Sequence, residues 1–235
     1  MNKMPPTDGP RSKKMFDLPD VEEATKRRAA RILKALRQRY PDAHCELNAE
    51  NPHELLVATI LSAQATDVGV NKATPGLFER FPTPADYAAV TPADIEPYVK
   101  TVNFWRNKAK SVHGAMTIVA NEHDGEVPAD MDDLLKLPGV ARKTANVVLG
   151  NAFGINEGVV VDTHVGRISR RFGLTEHEDP KKIERDLMAL FPRPSWCLLS
   201  HLMIFHGRRS CKARGALCGE DSICRTHCSN AKESA

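Results

Sequence analysis

Several things are missing from this sequence. None of its 235 residues lies in a run approaching ~18 consecutive apolar side chains, and mean hydropathy is −0.39, so no membrane-spanning helix is expected. No short apolar block follows a basic start, so no secretory signal is expected either. Six cysteines are far below the density of a disulfide scaffold. Val159-Val160-Val161 is the one convincing β-branched run, and a single short run cannot build a sheet. Internal repeats and low-complexity blocks are absent as well. Neither sign of charge dominates: 33 basic and 30 acidic residues leave a formal net charge of +3. What remains, 41% hydrophobic and 27% charged, is a globular composition that excludes disordered, collagen-like and coiled-coil classes. The length suits one large domain or two small ones.

Residues 1–19 hold four prolines and few large apolar side chains, and are expected to form a disordered arm. After the arm the chain reads helical. Capping residues followed by proline recur at Asn51-Pro52, Thr83-Pro84, Thr91-Pro92 and Asp179-Pro180. Glu54 stands where it would close a capping box on Asn51. Helices are predicted over 21–39, 52–64, 69–80, 84–89, 92–98, 104–122, 130–136, 141–153, 162–172, 180–190 and 195–206. On the second of these, Leu55, Leu56, Thr59, Ile60 and Ala63 would share one face. The expected fold class is all-α.

Chemistry concentrates in three places. Leu137-Pro138-Gly139 ends one short helix and a second begins within about two residues, a helix–hairpin–helix pattern. Amides at the second helix start can bind a DNA phosphate without reading sequence, although a plain αα-turn has the same appearance. Lys143 lies near that start, and a neutral amine is a nucleophile toward a carbonyl or acetal carbon. Asp162 follows the Val159–Val161 run and heads a helix, where it serves as N-cap, as a catalytic carboxylate, or as both. Last, four of the six cysteines cluster within 18 residues as Cys211-x6-Cys218-x5-Cys224-x3-Cys228, which favours a metal or cluster site over disulfides.

These motifs, in this order, resemble the endonuclease III family of helix–hairpin–helix DNA glycosylases. The likeness runs through residues 54–67, the segment from Leu137 to Phe153, Val161-Asp162-Thr163-His164, and His206-Gly207-Arg208-Arg209-Ser210-Cys211 with the cysteines that follow. It implies two helical domains with a DNA-binding cleft between them: a six-helix barrel at 45–155, and an iron–sulfur cluster domain of 20–44 plus 156–230. Split in this way, the formal charges are +5 for residues 1–44, −5 for 45–155 and +3 for 156–235. One body would then carry +8, a balance suited to an extended polyanion.

The resemblance also implies roles. Lys143 would attack C1′ of a damaged nucleotide flipped from damaged double-stranded DNA, with Asp162 accepting a proton or stabilising the cationic sugar. Oxidised pyrimidines would leave, and β-elimination would cut the strand 3′ to the abasic sugar. Gln64 matches the family's inserting glutamine. Phe104 stands at its aliphatic wedge, with core packing the plain alternative for this aromatic. Gly139, Ala141, Arg142, His164 and Arg208 are further candidates for DNA contact. Ala141 replaces a family glycine, and would be strained by about 1 kcal/mol or more if the hairpin needs a positive φ there.

Cys211, Cys218, Cys224 and Cys228 would hold a [4Fe–4S] cluster, with structural zinc as the alternative. The family spacing is Cys-x6-Cys-x2-Cys-x5-Cys, so Asp221 and His227 occupy the third and fourth ligand places here. Cys45 and Cys197 read as buried free thiols. An adenine-excising monofunctional glycosylase would carry a Glu on the early helix and lack the lysine; Thr59-Ile60 and Lys143 disfavour it. A lesion-binding protein without activity is the remaining alternative. A monomer is expected, cytoplasmic and nucleoid-associated.

Overall fold

The computed structural model describes residues 17–216 and 218–228. Most of the expected arm, residues 1–16, lies outside the described residues. All regular structure among the described residues is helical. The chain divides into two compact units.

The first unit, Glu46–Ile155, contains α2 (Pro52–Ser62), α3 (Asp67–Arg80), α4 (Pro84–Ala88), α5 (Pro92–Val99), α6 (Trp105–Glu122), α7 (Met131–Leu134) and α8 (Arg142–Ala152). Its centre is α2, on which every residue from Leu55 to Leu61 is buried. A helix apolar on all sides has to be enclosed, and α3, α6 and α8 pack around it while α4 and α5 pack on α6. The face expected on α2 is therefore too narrow, and Ala63 is not on it. Ala63 caps the helix in a non-helical conformation and is exposed. Glu54 also departs from expectation: its carboxylate accepts from the Glu50 amide, while Asn51 caps the Glu54 amide. The Thr83–Asp86 and Thr91–Asp94 pairs form reciprocal capping boxes.

Tyr87 is fully buried, its ring 5.0 Å from that of Phe81. Its hydroxyl has no hydrogen-bond partner among the described residues, and burial pushes its pKa up. A buried unsatisfied hydroxyl costs ~1–3 kcal/mol. Tyr87→Phe is therefore expected to keep or raise stability, by up to about 1 kcal/mol. A loss in urea unfolding would reveal a partner, such as a buried water.

The second unit comprises residues 17–45 and 156–228 of the described chain. It holds α1 (Glu23–Arg39), α9 (Thr163–Arg171), α10 (Pro180–Leu190), a single 3-10 turn at Arg193–Ser195, α11 (Trp196–Arg209) and α12 (Ser222–His227). Ala29, Ile32, Leu33 and Leu36 form the buried stripe of α1, at helical spacing. They join Ile168, Phe172, Leu187, Leu199, Leu202 and Met203 in a core separate from that of the first unit. Arg28 on α1 donates to the Phe172 and His227 carbonyls, tying α1 to the ends of α9 and α12.

Two elements here differ from the expected ones. The helix predicted to end at 206 runs to Arg209, so Gly207 lies inside it. A Cβ at Gly207 would sit 2.8 Å from His164 Nδ1 and 3.0 Å from Ile168 Cδ1, so the glycine lets α9 press against α11. The other difference is α12, which matches none of the expected helices; Asp221 caps it by accepting from the Ile223 and Cys224 amides.

Candidate active site

The hairpin is a tight turn built by its sequence. The Val140 amide donates to Leu137 O at 3.1 Å, Pro138 precedes Gly139, and Gly139 has φ +78°, the pattern of a type II turn. A Cβ at Gly139 would lie 2.7 Å from Ser111 Cβ and 3.3 Å from Ile60 Cγ2, so both conformation and space require glycine. Leu137 and Val140 are buried and anchor the turn in the core of the first unit.

The expected strain at Ala141 is corrected by the structure. Ala141 is the exposed N-cap of α8 at φ −95°, ψ 169°, an extended conformation that any residue adopts. Its methyl makes no capping bond, unlike Asn51, Thr66, Asp130, Asp162 and Asp179 at the starts of α2, α3, α7, α9 and α10. The residue at the N-cap of α8 thus brings no side-chain oxygen to its amides. Gly139→Ala is expected to cost about 2 kcal/mol or more and to weaken DNA binding. Ala141→Gly should stay within about 0.5 kcal/mol of wild type in stability, with unchanged affinity. Thermal melting and a binding titration on each variant check both.

Lys143 is exposed at the second position of α8, with half-buried Arg142 before it. In the second unit, Val159 and Val160 are buried in extended chain, and the Val160 amide donates to Ser200 Oγ on α11 at 3.0 Å. This run delivers half-buried Asp162 to the start of α9, where Oδ1 accepts from the Val165 amide at 2.8 Å. The cap uses that oxygen and fixes the direction of the carboxylate. His164 Nδ1 meets Arg167 Nη2 at 3.2 Å, and Arg167 also donates to the Gly207 and Cys211 carbonyls.

Gln64 and Phe104 share a property that composition cannot reveal. Non-glycine residues with positive φ are uncommon, and the described residues contain three: Gln64 (φ 54°), Phe104 (φ 57°) and Asp124 (φ 53°). Both candidate inserting residues are exposed, Phe104 at 62%. Core packing, the plain alternative for Phe104, is excluded by that exposure; its neighbour Trp105 packs against the core instead. The Asn103 amide group donates to Gln64 O at 3.0 Å. Buried Lys108 donates from Nζ to Leu61 O at 2.8 Å, and burial lowers its pKa. Neither Asn103 nor Lys108 was singled out in the sequence, where both look like ordinary polar positions of a helix start.

The cysteine run is compact. Cys211, Cys224 and Cys228 are fully buried, and Cys218 is half-buried. Arg171 Nη1 donates to Cys211 Sγ at 3.1 Å. The hydrogen bond from Cys224, followed by that guanidinium, pulls the Cys211 thiol down, while Cys224 is the partner that keeps its proton. Burial, then the charges of Cys211 and Cys228, push the Cys218 thiol up.

His206, unforeseen as part of this group, is fully buried with Nε2 3.3 Å from Cys224 Sγ and Nδ1 3.0 Å from the Tyr40 hydroxyl. Burial lowers its pKa to about 4, so the imidazole is neutral near pH 7. The donor atoms of His206, Cys211 and Cys224 lie within 4.8 Å of one another, a group able to hold a metal centre. Arg208 is exposed on the last turn of α11, whereas its neighbour Arg209 stacks 4.3 Å from the Phe205 ring and approaches Asp42 at 3.7 Å. No helix among the described residues is long and apolar enough to cross a membrane.

A helix–hairpin–helix turn within an all-helical chain is the architecture of a class of base-excision DNA repair proteins, and the profile of the HhH-GPD superfamily base excision DNA repair proteins matches residues 57–193. Endonuclease III of Synechocystis sp. is 55% identical over 195 residues, 83% of this chain and 89% of that protein. Endonuclease III of Bacillus subtilis is 44% identical over 190 residues, 79% of this chain and 86% of the other. A solved structure of a trapped endonuclease III–DNA covalent intermediate matches with a TM-score of 0.83 at 42% identity, over 89% of this chain and 98% of that one. The chain belongs to the endonuclease III family, and is a base excision repair enzyme, a DNA glycosylase/AP lyase.

Proposed function

We propose that this enzyme removes oxidised pyrimidines from duplex DNA and then cuts the strand itself, with Lys143 as nucleophile and Asp162 as its carboxylate partner. The observation that carries the reading is the exposed amine of Lys143 on the helix that the Gly139 turn begins. The amine attacks C1′ of the flipped nucleotide, the C1′–N bond to the base breaks, and the base leaves with a proton. The sugar ring opens to an imine between Nζ and C1′. Loss of a C2′ proton then expels the 3′ phosphate oxygen, breaking the C3′–O bond. Asp162 has one oxygen held by the Val165 amide, and its fixed carboxylate stabilises positive charge at C1′ or takes the proton. The covalent DNA intermediate trapped for a family member supports the same course. The adenine-excising alternative stays disfavoured, because Thr59 on α2 is buried and donates to Leu55 O.

We further assign DNA-facing roles to Gln64, Phe104, Gly139, Ala141, Arg142, His164 and Arg208. The barrel and cluster-domain roles go to residues 45–155 and to 20–44 with 156–230. Cys211, Cys218, Cys224 and Cys228 are assigned to a [4Fe–4S] cluster. Cys211, Cys224 and Cys228 are buried in one apolar core with Cys218 packed against it, and Arg171 donates to Cys211 Sγ; these residues fit such a group, since sulfur donors and a nearby cation favour thiolate ligation. These four residues would hold the group, which would supply a cross-link between the segment after α11 and helix α12. Mixing the protein with abasic duplex and borohydride tests the chemistry: a covalent adduct is expected, and its absence sinks the lyase assignment.

A further inference from the structure

We propose that Asn103 and Lys108 are positioning residues that hold Gln64 and Phe104 outward for entry into the gap left by a flipped nucleotide. The proposal rests on reading Gln64 and Phe104 as the inserting pair, and adds what keeps them in place.

Asp124 precedes Gly125 and belongs to a residue type that accepts the left-handed region readily. Gln64 and Phe104 have no such excuse. The Ala65 amide donates to Ser62 O at 3.0 Å, and Ala63 at φ −56°, ψ 116° leads to Gln64 at φ 54°, the dihedral sequence of a type II turn. Gly or Asn is the default residue at that third place. Phe104 is the N-cap of α6 at φ 57°, ψ 29°, without a side-chain capping bond. Something else must hold both conformations.

Two residues do so. Lys108 donates its backbone amide to Phe104 O at 3.1 Å, closing the first turn of α6 on Phe104. Its side chain reaches Leu61 O at 2.8 Å, in the last turn of α2, just before the turn that carries Gln64. The side chain thereby ties the end of α2, just before Gln64, to the first turn of α6, which starts after Phe104. Asn103 completes the tie with its bond to the Gln64 carbonyl. Lys108 is 6% exposed, and its ammonium is met by a helix-end carbonyl rather than a carboxylate. A buried ammonium with one neutral partner is a poor choice for stability, since an apolar chain would pack there without losing hydration. It is a good choice for geometry: a charge-assisted bond to the end of α2 sets where the chain turns.

The test compares Asn103→Ala and Lys108→Met with Gln64→Ala and Phe104→Ala. Two quantities are read for each: the affinity ratio between duplexes with and without a tetrahydrofuran abasic analogue, and the fluorescence of 2-aminopurine opposite that analogue. Asn103→Ala and Lys108→Met are each expected to lose about tenfold in the ratio and most of the fluorescence change, while binding to intact duplex is kept. Because Asn103 acts through Gln64, adding Asn103→Ala to Gln64→Ala should cause little further loss. A wild-type ratio and signal in Asn103→Ala and Lys108→Met, with clear defects in Gln64→Ala and Phe104→Ala, overturns the positioning role and leaves the inserting pair intact. Wild-type behaviour of Gln64→Ala and Phe104→Ala overturns both readings. If Lys108→Met does not fold, Asn103→Ala and the double variant decide.

Discussion

Lys143→Ala is expected to give no borohydride adduct with abasic DNA and to slow strand cutting by more than about 10³-fold. The side chain is exposed and alanine is the best helix former, so α8 and the hairpin should persist, with stability changed by no more than about 0.5 kcal/mol. Affinity for a tetrahydrofuran analogue should therefore survive. That separation of chemistry from binding marks a nucleophile; an adduct persisting in Lys143→Ala would move the role to another amine. Asp162 allows a sharper division. Asn caps as well as Asp, so Asp162→Asn should keep the bond from the Val165 amide and the stability of α9 while removing the charge. Its activity should fall by about 10²-fold or more. Asp162→Ala loses the cap too, and about 1 kcal/mol of stability with it. If Asp162→Asn cuts at the wild-type rate, the carboxylate is a cap and nothing else.

How much of this was legible in the sequence depends on whether the deciding physics is local. Caps are local. Asn51-Pro52, Thr83-Pro84, Thr91-Pro92 and Asp179-Pro180 each begin a helix in the structure at the proline. The Gly139 turn is also local, because the dihedral freedom it needs belongs to the residue itself. At Ala141 the condition for strain is not met: the family glycine suggests a positive φ that this backbone does not use. Helix α12 is silent in the sequence because six residues are too few to display a period, and Asp221 stands out there only as the occupant of the family's third cysteine place, not as a cap.

Other features depend on chain segments far apart. Gly207 is explained by a contact with His164, Lys108 by a bond to Leu61, and His206 by its place between Tyr40 and Cys224. A buried lysine or histidine looks the same in sequence as an exposed one, so these positions stayed silent until the helices were packed. The left-handed conformations of Gln64 and Phe104 are the clearest case. The residue types argue against them; Gln64 is held from the segment before α6 through Asn103, and Phe104 by the first turn of α6 itself.

Cys211→Ser is the change expected to damage the fold most. Cys211 is fully buried in the core of the second unit, and its sulfur accepts from Arg171. Serine leaves that guanidinium beside a smaller group that does not ionise and removes one of the four thiols assigned to the cluster. Where a metal centre is part of a fold, its binding free energy is folding free energy. A loss of about 3–5 kcal/mol is expected. For a chain of this size that lowers the melting temperature by roughly 10 °C. Bound iron should fall with it.

Cys197→Ala provides the contrast. That thiol lies outside the run, burial pushes its pKa up to about 12, and its contact is His201 Nε2 at 3.7 Å, so iron content should not change. Asp221→Cys separates the local spacing from the family's. It restores a cysteine at the third family place, but Asp221 is already spent on the Ile223 and Cys224 amides that start α12. The variant should bind no more iron than wild type and should lose about 1 kcal/mol with the cap. A gain in iron would mean that Cys224 and Cys228 are not the third and fourth ligands. Zinc in place of iron in the wild-type protein would turn the same residues, with His206 among them, into a mononuclear site.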